Sequence, residues 1–168
     1  MRRRLRKILS EFLPPDESVY ICNSYDIVGD IAILRLTDKS RRHSQIIAEA
    51  IMSVHKNVKT VLVQTSPVHG DFRLRKLEYI AGENKVTAVH KESGCRFSVN
   101  LGECYFSPRL FYERMRIAKQ VRNGEFIVNM FAGVGCFSIV IAKHSMLRKY
   151  IQLISTPPLI KICKKTLD

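Results

Sequence analysis

The spacing of apolar residues changes several times along the chain and marks out most of its elements. Ile46, Ile47, Ala50, Ile51 and Val54 recur at helical intervals within Lys39–His55 and predict one helix with a single buried face. Short continuous apolar runs at Val19–Cys22, Asp30–Leu36 and Lys59–Gln64 instead predict strands. The link Asn23–Gly29 is rich in turn formers and is expected to be a loop. Asn84–His90 and Cys95–Val99 alternate apolar with polar and predict paired strands, joined through Lys91–Gly94. Arg2–Phe12 predicts a short basic amphipathic helix, stopped by Pro14-Pro15. Gly70–Gly82 reads as a turn-bounded, strongly basic stretch.

From about Cys104 the character changes. Tyr105–Pro108 is expected to be extended, because a residue before proline avoids the helical region. Arg109–Val121 predicts a helix ending near Asn123-Gly124. An apolar strand over Glu125–Phe131 then runs straight into Ala132-Gly-Val-Gly135, followed by a helix over Cys136–Lys143. Tyr150–Ile154 predicts another strand and Pro158–Thr166 a last short helix. Helix, strand, glycine turn, helix, strand and helix in that order begin a doubly wound α/β fold. The expected organisation is therefore a small α/β domain over 1–103 and the start of a doubly wound domain over 104–168.

Charge adds a partner. The chain has 28 Lys and Arg against 15 Asp and Glu, a formal net charge of +13. Such an excess points to an anionic partner, nucleic acid being the commonest, although a basic proteome or a ribosome-associated tail gives the same balance. Basic clusters stand at Arg2–Lys7, Arg41-Arg42, Arg73-Leu-Arg75-Lys76 and Arg109 through Lys119, each suited to phosphate contacts. Five cysteines at 22, 95, 104, 136 and 163 form no C-x-x-C pair. They argue against a disulfide framework and a zinc site, and for a cytoplasmic protein with reduced thiols. His55, His69 and His90 have no paired ligand spacing, so no metal is expected. No apolar run approaches the ~20 residues that cross a bilayer. A monomer is expected.

The turn Phe131-Ala-Gly133-Val-Gly135 is the one local motif with chemistry. Glycines there let backbone approach a ligand, and a helix N-terminus offers unpaired N–H groups. It is also a common way to turn a strand into a helix. The missing third glycine speaks against a dinucleotide, and the form aromatic-small-Gly-x-Gly suits a smaller ligand such as S-adenosylmethionine.

Taken together, Tyr105-Phe-Ser-Pro-Arg-Leu110, Glu113-Arg114-x-Arg116 and Asn129-Met-Phe-Ala-Gly-Val-Gly-x-Phe-Ser138 closely resemble the archaeal and eukaryotic tRNA (guanine-N1)-methyltransferases that modify G37 beside the anticodon. The likeness continues in Phe72-Arg-x-Arg-Lys76, Ala81-Gly-Glu-Asn-Lys85, His90-Lys-Glu-x-Gly94 and Tyr25-Asp-Ile-Val-Gly-Asp-Ile-Ala32. It implies a class I methyltransferase (Rossmann-like) fold using S-adenosylmethionine, preceded by a smaller α/β domain, with tRNA as partner. By the same resemblance Glu113 is the general base and Arg73 the contact to guanine O6. Arg114, Asn129, Phe131, Ala132, Gly133, Gly135, Ser155 and Thr156 would hold the cofactor. Tyr105, Arg109, Arg75 and Lys76 would shape the guanine pocket and contact RNA.

Read without the family, several of these residues have plainer roles. Glu113 with its arginine neighbours forms an exposed helical ion network. Arg73, Arg75 and Lys76 lie on a solvated edge, and Tyr105 and Phe106 are core aromatics. Three departures from the family pattern bear on activity. Asn129 and Ser155 each stand where the family has a carboxylate, and the chain stops at Asp168 after two strands of the second domain, before the family's Asn-x-Pro segment. A truncated and inactive product is therefore expected as one outcome. Alternatives to methyl transfer are the aminocarboxypropyl transfer of the wybutosine pathway, with the same cofactor, and a non-catalytic tRNA-binding remnant.

Overall fold

The structure, a computed structural model, describes residues 7–16, 25–67, 70, 74–145 and 149–152. The chain divides into two compact units, Met1–Val86 and Thr87–Asp168, so residues 87–103 cluster with the second unit rather than with the first. Among the described residues no helix is long and apolar enough to cross a membrane.

In the first unit the elements run β1 (Tyr25–Val28), β2 (Ile31–Leu34), α1 (Asp38–Arg41), α2 (Ser44–Val54), β3 (Thr60–Gln64) and β4 (Leu77–Gly82). They form one sheet in the order β1-β2-β3-β4. The β1–β2 and β3–β4 pairs are antiparallel, whereas β2 and β3 are parallel. A parallel pair requires a crossover, and α2 supplies it. Ile47, Ala48, Ala50 and Ile51 of α2 share a core with Ala32, Leu34, Val61 and Val63 of the sheet and with Leu9 and Leu13.

Three details differ from the expected elements. The single helix is two, because Thr37 caps α1 through its hydroxyl, the chain turns at Arg42-His43, and α2 restarts at Ser44. With that start Ala48 joins the buried stripe and Ile46 falls on its exposed margin. The link 23–29 holds a strand, β1, whose alternation is hidden because Asp26 occupies a buried position, paired with Arg35 at 3.0 Å. Gly70–Gly82 contains β4, whose exposed Glu78 and Tyr79 read like a surface loop. At its end Gly82 has φ +87, and a Cβ there would lie 2.0 Å from the Lys59 carbonyl oxygen, so only glycine fits.

Residues 7–9 are helical. The expected strand Val19–Cys22, the start of the helix Arg2–Phe12 and the helix Pro158–Thr166 lie outside the described residues.

In the second unit β5 (Thr87–Glu92) and β6 (Cys95–Asn100) form an antiparallel hairpin around Ser93-Gly94. Both turn residues have positive φ, which matches the right-handed twist of the strands. A 3-10 turn, Pro108–Leu110, leads into α3 (Phe111–Ala118), then β7 (Phe126–Asn129), α4 (Cys136–His144) and β8 (Lys149–Gln152). β7 and β8 are parallel, and α4 packs against α3, β6 and β8. Packing of β6 on α4 is why the hairpin belongs to this unit. The fold class is α/β, and helix, strand, glycine turn, helix and strand follow in the expected order as far as β8.

Candidate functional site

Strand β7 delivers Asn129 to the mouth of a tight turn that ends at Gly135, the residue capping α4. Gly133 and Gly135 both have left-handed backbone, φ +55 and +83. A Cβ on Gly133 would meet nothing within 4 Å, so this glycine serves the backbone path and leaves open space above it. The Asn129 amide braces the turn from within. Its Oδ1 accepts from Phe131 N at 3.2 Å, while its Nδ2 donates to Ser138 Oγ at 3.0 Å on the first turn of α4. Ala132 and Val134 are buried, and the Phe131 ring stands 91% exposed at the lip.

Helix α3 presents two ion pairs on different faces. Glu113 is partly exposed and receives Arg116 Nε at 2.8 Å and Nη2 at 2.6 Å. The hydrogen bond from Arg116 holds the Glu113 carboxyl below its ordinary value. Arg114 points inward. Its Nε donates to Glu92 Oε1 at 2.5 Å, its Nη2 to Glu92 Oε2 at 2.6 Å and to the Ser107 carbonyl at 3.2 Å. The two side chains are 3% and 7% exposed. The guanidinium also lies over the Phe106 ring, 5.4 Å from its centre, a cation–π contact.

Glu92 is further contacted by His90 Nε2 at 3.5 Å, and the His90 ring meets Phe106 edge-on at 4.9 Å. Burial would raise the Glu92 carboxyl, but the bonds from His90 and Arg114 outweigh it and hold it below its ordinary value. The Arg114 charge reaches Cys136, the first residue of α4, where it opposes the burial that pushes that thiol up to about 12. The helix that carries Arg114 packs against α4. Cys136, like Cys104, which burial also pushes to about 12, is a protonated thiol near neutral pH and no nucleophile.

Phe106 is a buried core aromatic, whereas Tyr105 is 38% exposed. Arg109 is exposed in the 3-10 turn. In the first unit Arg75 is buried and donates through Nη1 to Gln64 Oε1 at 3.4 Å, while Lys76 is exposed. Arg73, Ser155 and Thr156 lie outside the described residues. Among the described residues no group of three or more His, Cys, Asp or Glu is placed to hold a metal. Glu92 was not singled out from the sequence, because its partner lies 22 residues away and nothing local announces a buried carboxylate on a hairpin.

Residues 88–167 match the family described as the TRM5/TYW2 methyltransferase domain, and residues 5–85 match the TYW2 N-terminal domain. The tRNA (guanine(37)-N(1))-methyltransferase Trm5b of Pyrococcus abyssi is 42% identical over 135 residues, which cover 80% of this chain and 41% of that protein. Among solved structures, the complex of aTrm5 with tRNALeu superposes with a TM-score of 0.85 at 37% identity, covering 99% of this chain and 50% of the other. TYW2 of P. horikoshii in complex with MeSAdo superposes at 0.74 with 30% identity, covering 99% and 58%. The chain thus spans about half the length of the relatives it matches.

Proposed function

The chain belongs to the TRM5/TYW2 methyltransferase family, and on that premise we propose that it is a tRNA (guanine-N1)-methyltransferase acting at position 37, in the cytoplasm, with S-adenosylmethionine as methyl donor. The observation that carries this reading is the Phe131–Gly135 turn, with two left-handed glycines and open space where a Gly133 Cβ would stand. When bound there, S-adenosylmethionine supplies a methyl group on a sulfonium. Phe131, Ala132, Gly133 and Gly135 would line it, Asn129 would hold the turn, and Arg114, Ser155 and Thr156 would meet its polar groups.

The remaining chemistry falls to side chains. Guanine N1 bears a proton and is a poor nucleophile until that proton leaves, which puts negative charge on O6. Glu113 would accept the proton and Arg73 would stabilise the O6 charge. Arg116 holds the Glu113 carboxyl below its ordinary value, so the carboxylate is ionised and able to accept the proton. Tyr105 and Arg109 would shape the pocket for a base drawn out of its stack, and Arg75 and Lys76 would contact RNA.

The test is incubation of the chain with a tRNA transcript bearing G37 and labelled S-adenosylmethionine. N1-methylguanosine at position 37 is expected, and Glu113→Ala should abolish it with little loss of tRNA affinity. Normal turnover by that variant would overturn the assigned base. A second reading, aminocarboxypropyl transfer, draws on the match of residues 5–85 to the TYW2 N-terminal domain, and the mass added to the guanosine separates the two. Binding of tRNA without binding of the donor would instead mark a non-catalytic RNA-binding protein.

A further inference from the structure

We propose that Glu92 is a positioning residue for methyl-donor binding: it locks Arg114 in one orientation, so that the guanidinium edge that meets no acceptor among the described residues stands beside the start of α4. This rests on the reading of the Phe131–Gly135 turn as the donor site.

The geometry is restrictive. The bonds from Arg114 to Glu92 and Ser107 use Nε and Nη2, and among the described residues no acceptor meets Nη1. A guanidinium is planar, so two bonds to one carboxylate and a third to a carbonyl fix its plane as well as its position. Phe106 closes one face of that plane. The side chain is 3% exposed, and a buried N–H pair without an acceptor is costly unless something arrives to receive it. Arg114 lies on α3, which packs against α4, and the first residue of α4, Cys136, feels the Arg114 charge. A carboxylate, such as that of the methionine moiety of S-adenosylmethionine, is the ligand chemistry that two guanidinium N–H groups at a helix N-terminus would take.

Glu92 has a second effect. A lone buried arginine would draw an anion without orienting it. With Glu92 in place the pair is neutral overall, and what remains at the turn is a directed donor edge rather than an uncompensated charge. His90, at 3.5 Å from the same carboxylate, steadies Glu92 from the hairpin side.

The test is a double-mutant cycle on the full chain, read by calorimetric titration with S-adenosylhomocysteine and by tRNA affinity. Glu92→Gln should weaken S-adenosylhomocysteine binding about tenfold, the scale of one charge-assisted hydrogen bond, with tRNA affinity unchanged. Arg114→Met should weaken it more, and in the Arg114→Met background Glu92→Gln should have no further effect. Unaltered binding by Glu92→Gln, or additive effects across the cycle, would overturn the assignment. Where a single variant does not fold, Glu92→Leu with Arg114→Met buries no unpaired charge and takes its place. Wild-type binding by that pair would show a purely structural role and also overturn the proposal. Failure of the unaltered chain to bind S-adenosylhomocysteine would overturn the donor-site reading itself, and this assignment with it.

Discussion

The chain builds a parallel strand–helix–strand crossover twice, and the strands fare differently. In β2–α2–β3 every residue of Ile31–Leu34 and of Thr60–Val63 is buried. In β7–α4–β8 the first strand is only half covered, with Phe126 and Val128 54% and 50% exposed. Both crossovers use an apolar helix over one face of the sheet, and in the second the Asn129–Ser138 bond marks the face α4 covers. The difference lies in the flanks. β2 and β3 have β1 and β4 as outer neighbours, whereas among the described residues β7 pairs with β8 alone. A crossover helix therefore buries one face of a strand, and complete burial comes from what is added around it.

Truncations sharpen this contrast most. Leu62→Ala should cost about 2–5 kcal/mol in chemical unfolding, while Val128→Ala should stay within about 0.5 kcal/mol. Equal losses would break the comparison, because they would mean that the outer face of β7 is covered in solution. Glycines provide the next test. Gly82→Ala drives a Cβ into the Lys59 carbonyl and should cost more than the ~1–2 kcal/mol of left-handed strain alone. Gly133→Ala meets open space and should cost only that strain.

Within the second unit the contrast narrows to the two ion pairs of α3. The Glu92 carboxyl is held below its ordinary value of 4.5. Its contribution is therefore present above pH 4.5 and is lost as pH falls through the depressed value. A thermal melt series should show the wild type losing its advantage over Glu92→Gln across that acid range. If the advantage persisted below it, the pair would not be titrating as a buried ion pair. The exposed pair should give the smallest response. Arg116→Gln should let the Glu113 carboxyl, now held low by Arg116, titrate closer to 4.5, a change that carbon-detected NMR of the side chain reads directly.

Much of the fold was legible where the pattern of residues and the burial agree. β3, the β5–β6 hairpin, β7 and α4 fall within a few residues of their expected bounds, because each has an uninterrupted apolar run or a clean alternation bounded by turn residues. β1 was hidden by Asp26, a carboxylate in an inward position made tolerable by Arg35. β4 was hidden because this edge strand exposes half of its residues and buries only Ala81. The glycine turn of the candidate site was legible, since its local sequence specifies its own backbone. The link between Glu92 and Arg114 was not, because it depends on a hairpin and a helix meeting across 22 residues.

The half-covered face of β7 also decides what a stability measurement on this chain means. Phe126 and Val128 lie exposed on a short strand, and any association that shielded them would add to the measured stability by mass action. An unfolding midpoint for this protein consequently belongs to a stated concentration and a stated set of companions in the tube.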